Sequence, residues 1–253
     1  MSAFFTRLRQ ARLAGATLAA LTGLAVLIGL GTWQMSRKAW KEGLLHQIAE
    51  RAHAEPMPLA EVLRRWQGSG DVEYLHVRLT GRFRHDEERH VFTTDDKLGP
   101  GFHVYTPLET PQGRMVLVNR GFVPADLKEA ARRAAGQASG EVTLTGLVRK
   151  PGPRTWFTPP SEPQRNMFYW PDYAGMLKSI AGSAPGAAPP VPFFVDADAG
   201  PANPGGFPKG GVTRLTLPNR HLEYALTWYG LALTLMGVYA VFAAGRLRAE
   251  RPM

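Results

Sequence analysis

The sequence contains no cysteine. That excludes disulfides, thiolate metal sites, covalent haem attachment through Cys-x-x-Cys-His and every thiol mechanism. Catalytic signatures are missing too: there is no His-Glu-x-x-His, Gly-x-Ser-x-Gly, P-loop or dinucleotide fingerprint. Charge is absent from two long stretches, Leu13 to Met35 (23 residues) and Tyr224 to Gly245 (22 residues). Because the mean hydropathy of the chain is only -0.19, its apolar residues are concentrated in these two blocks.

At about 1.5 Å per residue, either run forms a helix of roughly 33 Å, enough for the ~30 Å hydrocarbon core of a bilayer. Uncharged helices of this length are rare inside a soluble domain this small, so the blocks read as transmembrane helices. A cleaved secretory signal is the other reading of the first block, since Arg7, Arg9 and Arg12 precede it. The run exceeds a usual signal core, and Gly31-Thr32-Trp33-Gln34-Met35 lacks a small-x-small cleavage pattern. It therefore reads as an uncleaved anchor. No presequence-like segment precedes it, which favours a bacterial inner membrane over an organelle.

Arginines collect at both ends: Arg7, Arg9 and Arg12 before the first block, Arg246, Arg248 and Arg251 after the second. Short cytoplasmic segments gather such residues, whereas long domains are translocated largely regardless of charge. The expected division is a cytoplasmic tail (1–12), a first span (13–35), a periplasmic domain (36–221), a second span (222–245) and a cytoplasmic tail (246–253). Arg37, Lys38 and Lys41 just outside the first span weaken the contrast. The net charge of +9 does not point to nucleic acid, because the two tails carry six of the basic residues and the remainder forms no stripe.

Between the spans, Leu44, Leu45, Ile48 and Ala52 make a helical stripe; Pro56 and Pro58 interrupt it, and Leu59, Val62, Leu63 and Trp66 resume it. After Gly68-Ser69-Gly70, strands are expected at Tyr74–Leu79, Phe83–Phe92, Phe102–Leu108, Met115–Val123 and Val142–Val148. Pro111-Gln112-Gly113 reads as a hairpin turn, Asp126–Gln137 as a short helix with acids early and arginines late, and Ser179–Pro192 as a surface loop. Phe193–Asp196 and Val212–Leu217 look like closing strands. The fold class is two terminal transmembrane helices flanking one α+β domain with an antiparallel sheet.

Histidines are scattered. His46 and His53 share a helix face, while His85 and His90 on one strand would point to opposite faces; each reads as a surface or packed residue. Asp95-Asp96 and Asp86-Glu87-Glu88 sit in turn-like settings and read as solvated carboxylates. The entry to the second span differs. At helical spacing His221, Tyr224, Ala225, Trp228, Ala232 and Leu235 fall on one face, an imidazole above aromatic and small residues. Small residues leave room for a flat partner, aromatics stack on it, and neutral imidazole ligates iron; Tyr, Trp and His also occupy membrane interfaces for ordinary reasons. On the first span, Gly15, Ala19 and Gly23, and again Ala25 and Gly29, form small-x-x-x-small faces for helix packing.

Several segments together resemble the surfeit-locus family of cytochrome c oxidase assembly factors. Leu30-Gly31-Thr32-Trp33-Gln34-Met35-Ser36-Arg37 is similar to its exit from the first helix, and Gly81-Arg82-Phe83 to a strand start. Gly101–Leu108 and Val116–Pro124 resemble its central hairpin, and Asn219–Gly230 its entry to the second helix, with Arg220 where the family more often has Asn. The resemblance implies a non-enzymatic protein that helps haem a reach the catalytic subunit of a haem-copper oxidase. It makes His221 the candidate haem-iron ligand, with Tyr224 and Trp228 beside it. The implied partners are that subunit, membrane lipid and, further, haem a synthase. The rival reading is a haem-free scaffold for oxidase subunits or the synthase. Gly152 to Gly211 matches only loosely, so no role carries over there.

Overall fold

A computed structural model describes residues 13–180, 188–215 and 218–249. In chain order the elements are α1 (Ala14–His53), β1 (Met57–Pro58), α2 (Leu59–Gly68), β2 (His76–Phe83), β3 (Arg89–Asp95), β4 (Gly99–Glu109), β5 (Met115–Pro124), β6 (Glu141–Arg149), α3 (Tyr173–Ser179), β7 (Phe194–Ala197) and α4 (His221–Ala249). They form two units: α1 as far as Gln47 with α4, and the domain from Ile48 to Leu215. The tail residues Arg7, Arg9, Arg12 and Arg251, on which the expected orientation rests, lie outside the described residues.

In the first unit, α1 and α4 are each long and apolar enough to cross a membrane, and only 6% and 11% of their most apolar stretches are buried. Core helices of a soluble protein would be mostly buried, so this is the exposure expected of lipid-facing helices. Along α4 the central line of the seam is His221, Ala225, Trp228, Ala232, Leu235 and Tyr239, spaced alternately by four and three, with Tyr229 flanking it. On α1 the line is Thr17, Ala20, Leu24, Leu27, Gly31 and Gln34, flanked by Ala16, Gly23 and Leu30. This is a 3.5-residue period, the seam of helices that wind about each other. A strict four-residue spacing drifts off such a seam. Gly15, Ala19, Ala25 and Gly29 accordingly face outward, and of the expected small faces only Gly23 touches α4, where an added Cβ would come 3.0 Å from Leu235 Cδ2.

The domain is built on a seven-stranded sheet in the order β1-β2-β6-β7-β5-β4-β3, with a further β2–β4 pairing between the strands next to its two edges. Strands β2, β6, β7, β5 and β4 thus close into a five-stranded barrel. The sheet is mixed rather than antiparallel throughout: β1–β2 and β5–β7 are parallel, while β2–β6, β6–β7, β3–β4 and β4–β5 are antiparallel. Closure requires a glycine at 81, where a Cβ would come 2.3 Å from Glu109 O. Inside, Val77, Leu79, Val116, Val118, Phe193 and Val195 meet Val62 of α2, all fully buried or within 1% of it. Burial of each such side chain stabilises by about 1.5–3 kcal/mol. Helix α2 lies on this core through Leu59, Val62, Leu63 and Trp66, the stripe of its sequence, and Trp66 packs at 5.8 Å on Phe193. Strand β5 is buried from Met115 to Val123, its outer face at Met115 and Leu117 lying under Phe168, which bridges to β3, and under Met176 of α3.

Several expectations needed revision. Phe83–Phe92 is not one strand: β2 ends at Phe83, a 3-10 turn covers His85–Glu87, and β3 begins at Arg89. Asp126–Gln137 is two 3-10 segments, Ala125–Leu127 and Ala130–Gly136, the second broken at Arg133 (φ -131). Val212 to Leu215 form no strand, and Thr216 and Leu217 lie outside the described residues. In the expected loop 179–192, residues 181–187 lie outside them too, while Ile180 and Val191 are core.

Candidate functional site

The mouth of α4 is fixed by contacts with α1. Gln34 Oε1 accepts from His221 Nδ1 at 2.7 Å. With its proton on Nδ1, the imidazole keeps the lone pair on Nε2, the arrangement in which histidine serves as a metal ligand. Two turns along α4, the Tyr229 ring lies against Gly31, where a Cβ would come within 2.5 Å of Cε1, and its hydroxyl is 3.3 Å from Thr32 Oγ1. Lys41 Nζ donates to Pro218 O above His221, and Thr17 bonds Tyr239 at the far end of the pair. Both segments that resemble family signatures, Leu30–Arg37 and Asn219–Gly230, therefore face each other through Gly31, Thr32 and Gln34 on one side and His221 and Tyr229 on the other.

Of the expected stripe, Ala225 and Ala232 are buried and Trp228 is half-buried in the seam, but Tyr224 is 55% exposed. The seam takes the residue four after His221, which leaves the residue three after it on the outer flank. Leu222 and Trp33 are outward as well, so apolar surface adjoins the imidazole on both helices. The donor set fits a haem iron in one respect, the tautomer of His221. The seam two turns below is filled by Tyr229 on Gly31. No sequence signal pairs Gln34 and Gly31 with His221 and Tyr229; the pairing depends on the register in which α1 and α4 meet.

A second polar centre lies inside the domain. Glu88 and His90, together with Arg120 and Arg133, are each no more than 5% exposed. Arg133 grips the Glu88 carboxylate through Nη1 (3.2 Å) and Nη2, while Arg120 Nη1 is 3.7 Å from it. Arg120 Nη2 donates to Gly136 O and to Asn203 Oδ1 (2.9 Å). His85 and His90 approach the same carboxylate to 3.6 and 3.8 Å. They converge rather than pointing to opposite faces, because the 3-10 turn His85–Glu87 breaks the strand alternation between them while β2 and β3 continue in the same direction along β4. Glu87 and Glu88 are buried rather than solvated.

Burial alone raises the Glu88 carboxyl, but the His85 and Arg133 contacts and the charges of Arg133 and His90 outweigh it, holding it at about 2. Burial pushes His90 down to about 4, against the pull of Glu88. Burial also lowers Arg120 to about 10, Glu88 opposing and Arg133 adding to the shift. The kink at Arg133 turns its guanidinium inward. This centre is an ion network that fixes the 120–137 segment on the barrel.

Of the remaining histidines, His46 and His53 are exposed on α1, and His76 and His103 are half-buried in the domain. His76 bridges Ala54 O and Asp198 Oδ2, both at 2.8 Å, and His53 Nδ1 donates to Ala49 O. His103 lines a polar cleft with Lys209 and Arg214; burial, partly offset by Asp196, lowers its pKa. No group of three or more His, Cys, Asp or Glu among the described residues is disposed to hold a metal ion. Asn119 Oδ1 accepts from Gly121 N and its Nδ2 donates to Asp196 Oδ1, pinning the Asn119-Arg120-Gly121 segment.

Comparison with known proteins extends this picture over most of the chain. The SURF1 family model matches residues 21–233. Surfeit locus protein 1 of Mus musculus is 39% identical over 222 residues, covering 82% of this chain and 69% of the mouse protein. The SURF1-like protein of Monosiga brevicollis is 38% identical, covering 83% and 81%, and Surfeit locus protein 1 of Homo sapiens 36%, covering 81% and 69%. The matched span takes in both signature segments and the barrel between them, and on that basis the chain belongs to the SURF1 family.

Proposed function

We propose that this protein is an assembly factor for a haem-copper terminal oxidase of the cytochrome c type. It is a two-pass protein of a bacterial inner membrane, with both ends cytoplasmic and the barrel domain periplasmic. Haem a is its cargo rather than a resident cofactor, and the protein catalyses no reaction of its own. Its partners are the catalytic subunit that receives the haem, membrane lipid and, upstream, haem a synthase. His221 is the residue that would hold the iron, Gln34 orients it, and Tyr224 and Trp228 supply aromatic surface beside it.

The observation that carries this reading is the Gln34–His221 hydrogen bond. An amide oxygen on Nδ1 sets the tautomer a ligand needs and raises its basicity, the usual role of a partner behind a metal-binding histidine. Family membership supports the assembly role. The test is the visible spectrum of the full chain, purified after co-expression with haem a biosynthesis enzymes. His221→Ala should shift the Soret and α bands and lower haem content, Tyr224→Phe should disturb them less, and His103→Ala should leave them unchanged.

One observation favours a second reading. The closed packing of Tyr229 on Gly31 suits a helix pair that acts as a haem-free scaffold for oxidase subunits or the synthase. Wild-type haem content and spectrum in His221→Ala would select it.

A further inference from the structure

Between β6 and the bridge at Glu162, the chain carries a turn whose side chains point away from the domain. Trp156 is 93% exposed and Phe157 71%, although burying a side chain of that size is worth about 1.5–3 kcal/mol. The pair is edge-to-face, 5.6 Å between centroids at 89°. Its presentation is enforced. Thr158 N donates to Thr155 O at 3.1 Å, and the two hydroxyls bond each other. Arg154 clasps Thr158 O from Nε (2.7 Å) and Nη2 and lies over the Trp170 ring at 5.5 Å, which ties the turn to the domain. Pro151 and Pro153 on one side, and Pro159 and Pro160 on the other, stiffen both arms. An aromatic pair held out by a rigid turn is a feature that something else covers.

We propose that this turn is a membrane foot: Trp156 and Phe157 insert into the headgroup region of an anionic bilayer. The inference rests on the two-pass reading, which keeps the domain tethered to lipid. Chemistry favours lipid over protein on two counts. No Asp or Glu occurs between Glu141 and Glu162. Arg149 is neutralised by Glu73 and Asp196, but the side chains of Lys150 and Arg154 donate to carbonyl oxygens rather than to carboxylates. The remaining local charge is therefore positive and complements anionic headgroups. Indole and phenyl rings are the side chains that settle at the membrane–water interface. Two aromatics also bury only about 150–250 Å² each, well short of the ~800 Å² per partner of a stable protein interface.

The absence of native cysteine allows a clean test. Single-cysteine full-length chains (Phe157→Cys, Gln112→Cys and Leu231→Cys) would carry one polarity-sensitive fluorophore, in nanodiscs of phosphatidylcholine with or without phosphatidylglycerol. Gln112 is an exposed turn residue of the domain and Leu231 an exposed mid-helix residue of α4. The label at 157 should be blue-shifted and lose emission to spin-labelled lipid, more so with phosphatidylglycerol, while that at 112 reads water. Adding Trp156→Ser should diminish the shift at 157. If 231 is quenched but 157 behaves like 112, the foot is wrong and the two-pass reading stands. If 231 escapes quenching, both fall. A shift at 157 that needs added oxidase subunits would mark a protein partner and overturn the lipid assignment.

Discussion

Tyr229 lies so close on Gly31 that no side chain larger than hydrogen fits there: a Cβ would come 2.5 Å from one ring carbon and 2.8 Å from two others. The contact ties the exit of α1 to the entry of α4 one helical turn from the Gln34–His221 bond on α1. It sets the distance between the two helices at the candidate site.

Gly31→Ala should therefore loosen the helix pair. Overpacking at such a contact costs about 1–3 kcal/mol, and thermal unfolding of the purified chain in detergent should begin at a lower temperature. Combining it with Tyr229→Leu, which removes the opposing ring, should recover part of the loss. A double-mutant cycle showing no coupling between 31 and 229 would contradict the contact.

Gln34 gives a sharper test of how His221 is oriented. Gln34→Leu deletes the acceptor on Nδ1 and frees the imidazole to take the other tautomer. If haem is held at His221, Gln34→Leu should lower haem content by roughly 10- to 100-fold, as loss of such supporting partners typically does. Gln34→Glu, which preserves an acceptor oxygen, should retain more of it. Equal spectra in all three proteins would separate Gln34 from any haem site.

How much of this site the sequence discloses depends on periodicity. His221, Ala225, Trp228, Ala232 and Leu235 were readable as one face because a single helix suffices to group them. Tyr224 was placed on that face by the same rule, yet it lies on the outer flank because the seam follows a 3.5-residue period. The α1 partners could not be identified at all without the register between the helices. Gly31 and Gln34 were visible only as parts of a resemblance.

Orientation is the next expectation. Reporter fusions after Arg248 should report cytoplasm, and fusions within Ser179–Pro192 should report periplasm, in keeping with the arginines at both ends. A cytoplasmic signal from the latter would invert the arrangement.

Gly121 tests the barrel. It sits at φ +117, and a Cβ there would come 1.7 Å from Lys209 O, across the Phe122–Lys209 bridge. Gly121→Ala combines backbone strain with a clash against main chain, so a loss of more than about 2 kcal/mol in denaturant unfolding is expected. Gly113→Ala, also at positive φ (+71) but with nothing within 4 Å, should cost less.

The sequence was least informative about charge. The alternation of β-branched and aromatic residues located most strands, and Pro111-Gln112-Gly113 located the β4–β5 hairpin. Closure of the barrel through β2–β4 has no local signal, since it depends on two residue pairs at strand ends. Nor has the burial of Glu88. A run of three acids next to a histidine reads as solvated unless the arginines that meet it, 32 and 45 residues further on, are known to be there.

That network should make the domain acid-labile in two stages. The unfolded chain binds a proton at His90 near its ordinary 6.5, whereas the folded domain resists until about 4, so stability falls as pH drops from 6.5 towards 4. Glu88 is ordinary near 4.5 when unfolded and held at about 2 when folded; its contribution is present above 4.5 and is lost as pH falls towards 2. Each shift corresponds to about 3 kcal/mol. His90→Phe keeps a ring against Phe102, now 6.0 Å away, and leaves Asn166 Nδ2 its bond to Glu88 O at 2.8 Å. It should flatten the upper stage alone. Glu88→Gln should abolish the lower stage and, by leaving the buried Arg133 without its counter-charge, cost about 3–5 kcal/mol at neutral pH. Urea unfolding of the three proteins across this pH range measures both. An upper stage that survives His90→Phe unchanged would show that another group takes up the proton.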